Sequence, residues 1–314
     1  MARYIGYPVA ILLTLFVSLH IFTLPASAGV SITVSPTKID LVVGTGETAE
    51  QYISVQNPGS ASTKIHAYAM DFSINQEGTF NFSEPGHESY SCATWLNIDE
   101  ADFDLGPGET KDVKVIISVP PEVEPGGHYA ALLFGTVPPE AQSGVSIAIA
   151  GRIPSLFYIT IPGVTGADII TNAEIISLLL PGWIEKGPVE IGVTVRNTGN
   201  VHLSIAAKAY FTDFRGREAG ELDLGQAVVL PDSERVMKAT WERTPFIGRV
   251  RTSIVIGYFD QHGELVNRSR TGDFQVVPWR IILVAISSIF LLILLVFVLR
   301  KRFRFRIECR ERKQ

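Results

Sequence analysis

The chain has 314 residues, more than a single domain of ordinary size needs and about enough for two. Charged residues make up 19% of it, and Gly and Pro together occupy 45 positions, which excludes a disordered polyelectrolyte and a collagen-like repeat. The formal net charge of −5 is uneven: residues 29–162 hold sixteen acidic and five basic side chains, whereas residues 300–314 hold eight basic and two acidic ones. Because phosphate binding needs a basic surface, we expect no nucleic acid as a partner of the main body.

The first 28 residues have the three parts of a secretory signal. Arg3 gives a charged start, the run VAILLTLFVSLHIFTL is apolar, and Ala26-Ser27-Ala28 forms an A-x-A cleavage motif. We therefore predict a signal peptide over residues 1–28, cut before Gly29. The length of the apolar run leaves an uncleaved anchor helix as the alternative.

Between the two ends of the chain, the sequence predicts β-strands throughout. Apolar and polar residues alternate in SITVSP, KDVKVIISVP and RVRTSIVIGYF, and groups of Gly, Pro and Asn separate such runs. Short alternating strands at this spacing are typical of an antiparallel β-sandwich. Only TNAEIISLLLPGW is ambiguous between a strand and a short helix.

One strand ending occurs twice. In YISVQNPGS, alternating apolar residues lead into Asn57, and in IGVTVRNTGN they lead into Asn197 in the same phase, each within an Asn-x-Gly motif. We therefore predict two tandem Ig-like domains, residues 29–162 and 163–279, with the boundary in IPGVTGADI. A Pro-centred turn follows fifty residues after the first motif and thirty-four after the second, so about sixteen extra residues are expected in the first domain, within residues 73–95.

No pattern of catalytic or metal-binding residues stands out. The sequence has no Gly-x-Ser-x-Gly, His-Glu-x-x-His or Cys-x-x-Cys motif, so we predict a protein that is not an enzyme and uses no cofactor and no metal. The acidic residues between 99 and 104 offer oxygen ligands for Ca²⁺ but lack the glycine and closing glutamate of an EF-hand loop, and we interpret them as a solvated loop. Cys92 is expected to be buried as a small apolar side chain, with an intermolecular disulfide as the alternative.

The C-terminal part has the features of a membrane anchor. Residues 281–299 contain no charged side chain, and as a helix they would extend about 28 Å, close to the ~30 Å of a bilayer core. Trp279 precedes this run, and the basic segment RKRFRFR follows it. We predict one transmembrane helix over residues 280–299 and a basic cytoplasmic tail over residues 300–314, with the N-terminal part outside the cell membrane. Cys309 offers a site for palmitoylation, although an unmodified thiol is the simpler interpretation.

A resemblance to a known family is carried by VSPTKIDLVVGTGETAEQYISVQNPGSAS and CATWLNIDEADFDLGPGETKDVKVIISVPPEVEPGGHYAALLFG. Both resemble the N-terminal domain of the WxL-interacting proteins of bacterial cell surfaces, a domain associated with peptidoglycan binding in that family. VTVRNTGNVHLSIAAKAYFTD and VVLPDSER occupy the place of the family's partner-binding domain. The order of signal peptide, two sandwiches, C-terminal helix and basic tail is also the same, so the resemblance covers most of the chain.

A more distant similarity relates SIAIAGRIPSLFYITIP to the last strand of the first domain of periplasmic pilus chaperones. Those chaperones hold the C-terminal carboxylate of a subunit with an Arg in the first strand and a Lys in the last. Lys38 stands near the first of these positions, but Ile153-Pro154-Ser155 follows Arg152, so the last-strand Lys is missing. Because proline also removes a donor from the strand, the similarity implies a shared fold rather than a shared mechanism.

Together these observations predict a bacterial, single-pass, membrane-anchored binding or scaffold protein that displays two Ig-like domains toward the cell wall. The resemblance implies that it binds peptidoglycan or a wall-associated protein. The alternative is a membrane-anchored chaperone-like protein that assists the assembly of surface proteins by β-strand pairing. Trp95, Tyr129 and Phe134 are expected in the core, and Tyr90 is the predicted ligand-binding residue because it lies in the Ser- and Glu-rich insertion.

Overall fold

The computed structural model describes residues 32–137, 151–163, 168–242, 245 and 247–311, with side chains up to residue 302. Within these ranges the main body of the chain forms β-strands and the C-terminal part forms one long helix. The predicted all-β class, with two Ig-like sandwiches and a C-terminal helix, is confirmed. The predicted signal peptide, residues 1–28, lies outside the described residues.

The first sandwich consists of ten described strands. They are β1 Thr33–Ser35, β2 Lys38–Val42, β3 Thr48–Gln56, β4 Thr63–Ile74, β5 Phe80–Ser83, β6 Leu96–Ile98, β7 Asp102–Leu105, β8 Thr110–Ser118, β9 Gly126–Val137 and β10 Arg152–Ile161. One sheet has the order β1-β3-β8-β6, and the other has the order β2-β10-β9-β4-β5 with β7 also paired to β4. A short 3₁₀ helix, Ala93–Trp95, precedes β6.

The second sandwich consists of eight described strands. They are β11 Ala173–Leu179, β12 Trp183–Ile184, β13 Val189–Asn197, β14 Leu203–Thr212, β15 Glu218–Val229, β16 Glu234–Trp241, β17 Gly248–Phe259 and β18 Leu265–Val276. Their sheets have the orders β11-β13-β16 and β12-β18-β17-β14-β15. The ambiguous segment TNAEIISLLLPGW therefore forms strand β11 rather than a helix.

In both sandwiches the first strand is divided between the two sheets. β1 pairs antiparallel with β3, whereas β2, which follows Pro36, pairs parallel with β10 in the opposite sheet. In the same way β11 pairs antiparallel with β13, and β12 pairs parallel with β18. The two halves thus share a topology as well as a sequence motif.

The first Asn-x-Gly motif ties the end of β3 to two neighbouring segments. The Nδ2 group of Asn57 donates to the carbonyls of Ala61 (2.8 Å) and Leu105 (3.0 Å), and its Oδ1 accepts the N–H of Gly59 (2.9 Å). Asn57 is only 1% exposed. One buried amide therefore satisfies three backbone groups that would otherwise lack partners at this loop.

The second motif repeats this arrangement at the end of β13. Asn197, fully buried, donates to the carbonyls of Val201 (2.7 Å) and Val229 (2.9 Å) and accepts the N–H of Gly199 (2.9 Å). The strand ending recurs in the sequence because each sandwich needs the same three hydrogen bonds at the same corner.

Each sandwich has its own hydrophobic core. Alternate residues of facing strands point inward, and Val55 in the first core and Val195 in the second are fully buried. Trp95 packs in the first core and Trp241 in the second. Cys92 is buried in the first core as a free thiol, as predicted, and burial raises its pKa well above the ordinary value.

The first sandwich contains an insertion relative to the second. In the second sandwich, β14 pairs with β17 on one side and with β15 alone on the other. In the first, the matching edge of β4 is shared by β5 and β7, and the chain between them forms the 3₁₀ helix and β6, which joins the opposite sheet. The extra residues expected within 73–95 thus fall between the end of β5 and the start of β7.

The C-terminal helix, α1 Trp279–Glu311, follows β18 almost directly. Within its stretch Trp279–Arg302, a window of 18 residues has a mean hydropathy of 3.3 and is not buried against the rest of the protein. These 24 residues would extend about 36 Å. By length and composition, this helix is able to cross a membrane.

Candidate binding groove between the two domains

The outer face of the β2-β10-β9-β4-β5 sheet packs against the second sandwich. A third apolar cluster lies at this contact, where Phe72, Tyr129 and Tyr158 meet Leu230 of the second sandwich. The rings of Phe72 and Tyr158 are 5.8 Å apart in an edge-on arrangement, which is the favourable geometry for aromatic pairs. The two sandwiches therefore share buried apolar surface.

Backbone hydrogen bonds also join the two sandwiches at the turn after β4. Val236 on β16 donates its N–H to the carbonyl of Gln76 (2.9 Å). Beside it, the Arg235 guanidinium donates to the carbonyl of Asn75 (2.9 Å), and the Gln76 amide donates to Glu234 (3.0 Å). Directional bonds of this kind oppose a hinge motion between the sandwiches.

A second backbone contact lies at the start of β9. The N–H of Gly127 donates to the carbonyl of Asn200 (2.8 Å), and the Asn200 amide donates to the carbonyl of Pro125 (3.2 Å). Gly126 has a φ of +142°, and a Cβ there would lie 2.9 Å from the Asn200 carbonyl oxygen. Glycine is therefore required by both the backbone conformation and the close approach of the second sandwich.

His202 of the second sandwich enters the same contact from the loop before β14. Its ring packs 4.7 Å from the Tyr158 ring and 5.7 Å from the Tyr129 ring, and its Nε2 lies 3.4 Å from a carboxylate oxygen of Asp40. Burial, followed by the positive charge of Lys38, lowers the pKa of His202 to about 4. The imidazole is thus neutral at neutral pH although it faces a carboxylate.

Lys38 completes this group of charged side chains on β2. Its ammonium lies 3.0 Å from an oxygen of Asp40 and 4.7 Å from the centre of the Tyr158 ring. Asp40 therefore interacts with one cation of its own strand and with the buried imidazole of the second sandwich. This polar group borders the groove between the sandwiches.

The groove itself has a volume of about 570 Å³. Both sandwiches line it: β2 and β10 form one wall, and the loop before β14 and the turn after β17 form the other. Its apolar lining residues are Val42, Pro162, Ile169, Val201, Leu203 and Phe259, and its polar ones include Thr160, His202, Asp260 and His262. Its volume lies in the range of ligand-binding pockets, and apolar and polar side chains line it in similar numbers.

The strand β2 beside the groove lies at the edge of its sheet. The Thr37 carbonyl accepts the N–H of Leu156 (2.9 Å), and the N–H of Val43 donates to the Thr160 carbonyl (3.1 Å). In a parallel pair the backbone groups of alternate residues face the partner strand. The odd-numbered residues of β2 thus use their backbone groups to pair with β10.

The even-numbered residues Lys38, Asp40 and Val42 consequently direct their backbone groups away from the sheet. Within the part of the chain that the structure describes, their backbone N–H groups have no hydrogen-bond partner. The Val42 side chain is 74% exposed. A free edge with unpaired donors is a template for an added strand.

The predicted ligand-binding residue Tyr90 lies beside the contact rather than on an open surface. Its side chain is half-buried, and its ring packs edge-on at 5.4 Å from Tyr129. Burial, with the negative charges of Glu88 and Asp71, raises the pKa of Tyr90 to about 12. Tyr90 is therefore half-buried rather than fully exposed, and its ring supports the contact between the sandwiches. Its predicted role in ligand binding stays a prediction.

The aromatic residues expected in the core are there. Trp95 is 8% exposed and packs 4.8 Å from His128, and Tyr129 and Phe134 are fully buried. Tyr129 belongs to the cluster between the sandwiches, whereas Phe134 lies in the first core. The amphipathic strand pattern predicted their burial but not which of the two clusters each joins.

The positions that matter in pilus chaperones are separated here. Lys38 pairs with Leu156 in the middle of β10, whereas Arg152 opens β10 and its guanidinium lies 5.7 Å from the Phe82 ring. Pro154 lies between these positions on β10. No pair of cations for a carboxylate is assembled from these residues.

Two of the four acidic residues between 99 and 104 contact basic side chains. Asp102 lies 2.8 Å from His66 across the β4–β7 pair, and Glu100 lies 2.6 Å from Lys111. The solvated loop expected here is shorter than predicted, because β7 begins at Asp102. Among the described residues, no group of three His, Cys, Asp or Glu side chains could hold a metal ion.

No protein-family model and no curated protein match the chain. Its fold is similar to that of several solved structures. The class 5 fimbriae chaperone CfaA is 12% identical, with a TM-score of 0.41, and the match covers 79% of this chain and 100% of CfaA. The Pseudomonas aeruginosa chaperone CupB2 is also 12% identical, with a TM-score of 0.38, and the match covers 76% of this chain and 99% of CupB2. The PapD-like domain 7 of human CEP192 is 11% identical, with a TM-score of 0.30, and the match covers 44% of this chain and 90% of that domain.

His202 and the free edge of β2 are the site features that sequence reasoning missed. The sequence signal for His202 is its position: it interrupts the apolar pair Val201 and Leu203 directly after the second Asn-x-Gly motif.

Proposed function

We propose that this protein is a membrane-anchored binding protein whose two Ig-like domains stand outside the cell membrane and capture an extended segment of another protein. The observation that carries this proposal is the free edge of β2 beside the groove between the sandwiches. An added strand would pair with the outward N–H groups of β2, and its side chains would enter the groove. The chain has a suitable anchor in the apolar helix that follows the second sandwich.

The edge of β2, the exposed apolar side chains beside it and the acidic surplus of the first domain support an extended polypeptide as the ligand. Main-chain hydrogen bonds to β2 would provide affinity without a particular sequence, and the apolar residues Val42 and Phe259, both exposed, would select apolar side chains. The first domain carries a surplus of acidic side chains, which disfavours polyanions such as teichoic acid. Peptidoglycan binding, implied by the family resemblance, remains a prediction, and the half-buried Tyr90 gives it no support.

The test uses the full-length chain in native membranes with a photo-crosslinking amino acid in place of Phe259, at the mouth of the groove. We expect it to trap a protein partner. Val42→Pro, which removes one outward N–H of β2, should reduce trapping at least tenfold, because proline cannot donate to an added strand. Val42→Ala, which keeps that N–H, is the matched control and should trap nearly as well as the parent.

A crosslinker in place of Tyr52, which is 57% exposed on β3 of the opposite sheet, controls for contacts by collision. Equal trapping by the Pro and Ala variants, or trapping at Tyr52 alone, would contradict strand addition. Co-sedimentation of the full chain with purified peptidoglycan, without any trapped protein, would favour the glycan-binding prediction instead.

Chaperone-like action is the second candidate, and the same free edge favours it. A pulse-chase version of the crosslinking experiment separates the two roles. A scaffold keeps its partner throughout the chase, whereas an assembly chaperone releases it, so trapping declines as the chase proceeds.

A further inference from the structure

The helix α1 begins directly at one end of the second sandwich. Only two residues separate the end of β18 from the first residue of the helix. The N–H of Val277 donates to the carbonyl of Ile184 (2.8 Å), and Arg280 in the first helical turn lies 3.4 Å from a carboxylate oxygen of Glu185. The start of the helix is thus held on β12, and no flexible linker lies between the sandwich and the apolar segment.

The same end of the sandwich exposes large apolar side chains. The strand registers place the end of β18 beside β12 and beside the start of β17, which in turn lies beside the end of β14. At this end, four apolar side chains are exposed: Trp183 (61%), Phe214 (59%), Ile247 (49%) and Trp279 (42%). We call these four residues the apolar tip.

The distribution of tryptophan singles out this end. The chain has four tryptophans. Trp95 and Trp241 are 8% and 4% exposed in the two cores, whereas Trp183 and Trp279 are both exposed and both belong to the apolar tip. Tryptophan is enriched where a membrane protein meets the headgroup layer, because its ring is amphipathic.

Basic side chains lie against the rings of the apolar tip. The guanidinium of Arg215 is 5.0 Å from the centre of the Phe214 ring, and that of Arg280 is 5.5 Å from the Trp279 ring. Three acidic side chains at this end each contact an arginine side chain or its backbone N–H: Asp213, Asp273 and Glu185. An aromatic ring with a neighbouring guanidinium suits the bilayer surface, where the ring enters the headgroup layer and the cation meets phosphate.

We propose that the apolar tip is inserted into the headgroup layer of the bilayer that α1 crosses. This inference rests on the proposed membrane anchorage of the chain. The second sandwich then contacts lipid through the loops around Trp183, Phe214 and Ile247, and it cannot swing freely on its helix. The turn after β17, which lines the groove, lies at the far end of that strand, so about 36 Å of strand separates the groove from the apolar tip.

The experiment places one environment-sensitive fluorophore at a time on the full-length chain. Cys92→Ala and Cys309→Ser remove the native thiols, and Phe214→Cys introduces the label in the apolar tip. The protein is reconstituted into vesicles of phosphatidylcholine and phosphatidylglycerol, with and without lipids that carry a quencher close to the headgroup. We expect the label at Phe214 to emit at shorter wavelength and to lose emission when the quencher lipid is present.

Two further labelling sites make the outcomes distinguishable. Phe259→Cys is the matched control, because Phe259 is 65% exposed at the opposite end of the same sandwich, and its emission should not change. Leu292→Cys, near the centre of α1, reports the anchor itself when the quencher is placed deep in the acyl chains. A quenched Leu292 label with an unquenched Phe214 label would overturn this inference and leave the anchor in place, whereas an unquenched Leu292 label would overturn both.

Quenching at Phe214 and Phe259 alike would also overturn the inference, because it would mean that the body lies flat on the bilayer. Vesicles of phosphatidylcholine alone separate the contributions of the rings and of the arginines. Insertion driven by the apolar tip should persist in them, and loss of quenching there would show that anionic lipid, rather than the apolar tip, holds this end.

Discussion

The repeated asparagine offers a direct test of how each sandwich is held together. Asn57→Ala removes three hydrogen bonds of 2.8 to 3.0 Å from a side chain that is 1% exposed. At about 1 kcal/mol for each bond, the first sandwich should lose about 3 kcal/mol of unfolding free energy. Asn197→Ala removes the equivalent three bonds and should destabilise the second sandwich by a similar amount.

Hydrogen exchange of the full-length chain in detergent, read by mass spectrometry, measures this locally. In Asn57→Ala the amides of β3 and β8 should exchange about a hundredfold faster, which corresponds to ~3 kcal/mol, while those of β13 and β16 change far less. The control is Asn75→Ala, which loses a single exposed side-chain bond to the N–H of Thr79. If Asn57→Ala exchanges no faster than this control, the asparagine does not hold the corner of the sandwich and the argument for the repeat is wrong.

Three further predictions concern protonation, backbone conformation and the anchor. The pKa of His202 is about 4 in the fold and about 6.5 in the unfolded chain, so the unfolded state binds more protons between these values and stability should fall as the pH drops from 6.5 to 4. His202→Gln should flatten this slope in urea titrations. Asp232 has a φ of +55° where the equivalent position of the first sandwich is glycine, so Asp232→Val should lower the melting temperature at a cost of about 1–2 kcal/mol while Asp232→Gly does not. Leu292→Arg should oppose membrane insertion by about 3 kcal/mol, and unchanged retention in the membrane fraction would count against a span there.

Local signals predicted the sandwiches well. Alternation of apolar and polar residues identified the strands, because a strand with one buried face has to repeat every two residues. The Asn-x-Gly motif and the Pro-centred turn identified the repeat because each is a short pattern of neighbouring residues. The fold then joins the two patterns in each sandwich, since Gly108 and Asp232, in the two turns, donate their N–H groups to the carbonyls of Asn57 and Asn197. A pattern that is completed by neighbouring residues is visible in a sequence.

The candidate site was not predicted in the same way, since its parts come from distant segments. Asp40 and His202 meet only because the outer face of one sheet packs on a loop of the other sandwich. Tyr90 shows the same limit: its polar neighbours in the sequence indicated an exposed side chain, and the packing against Tyr129 decided otherwise. The alternation of apolar and polar residues predicted which face of each strand is buried in its own sandwich. It did not predict which outer face is covered by the other domain.

In the proposed function, the doubled unit acts through the contact between its copies. Two separate backbone contacts, Val236 with Gln76 and Gly127 with Asn200, join the two sandwiches that line the groove. If the groove is formed before the ligand binds, no binding energy is spent on ordering the groove. This favours binding of a flexible segment, because that segment loses its own conformational entropy when it binds. A single Ig-like domain with the same β2 edge would offer the hydrogen bonds without the second wall, and only the pair provides both.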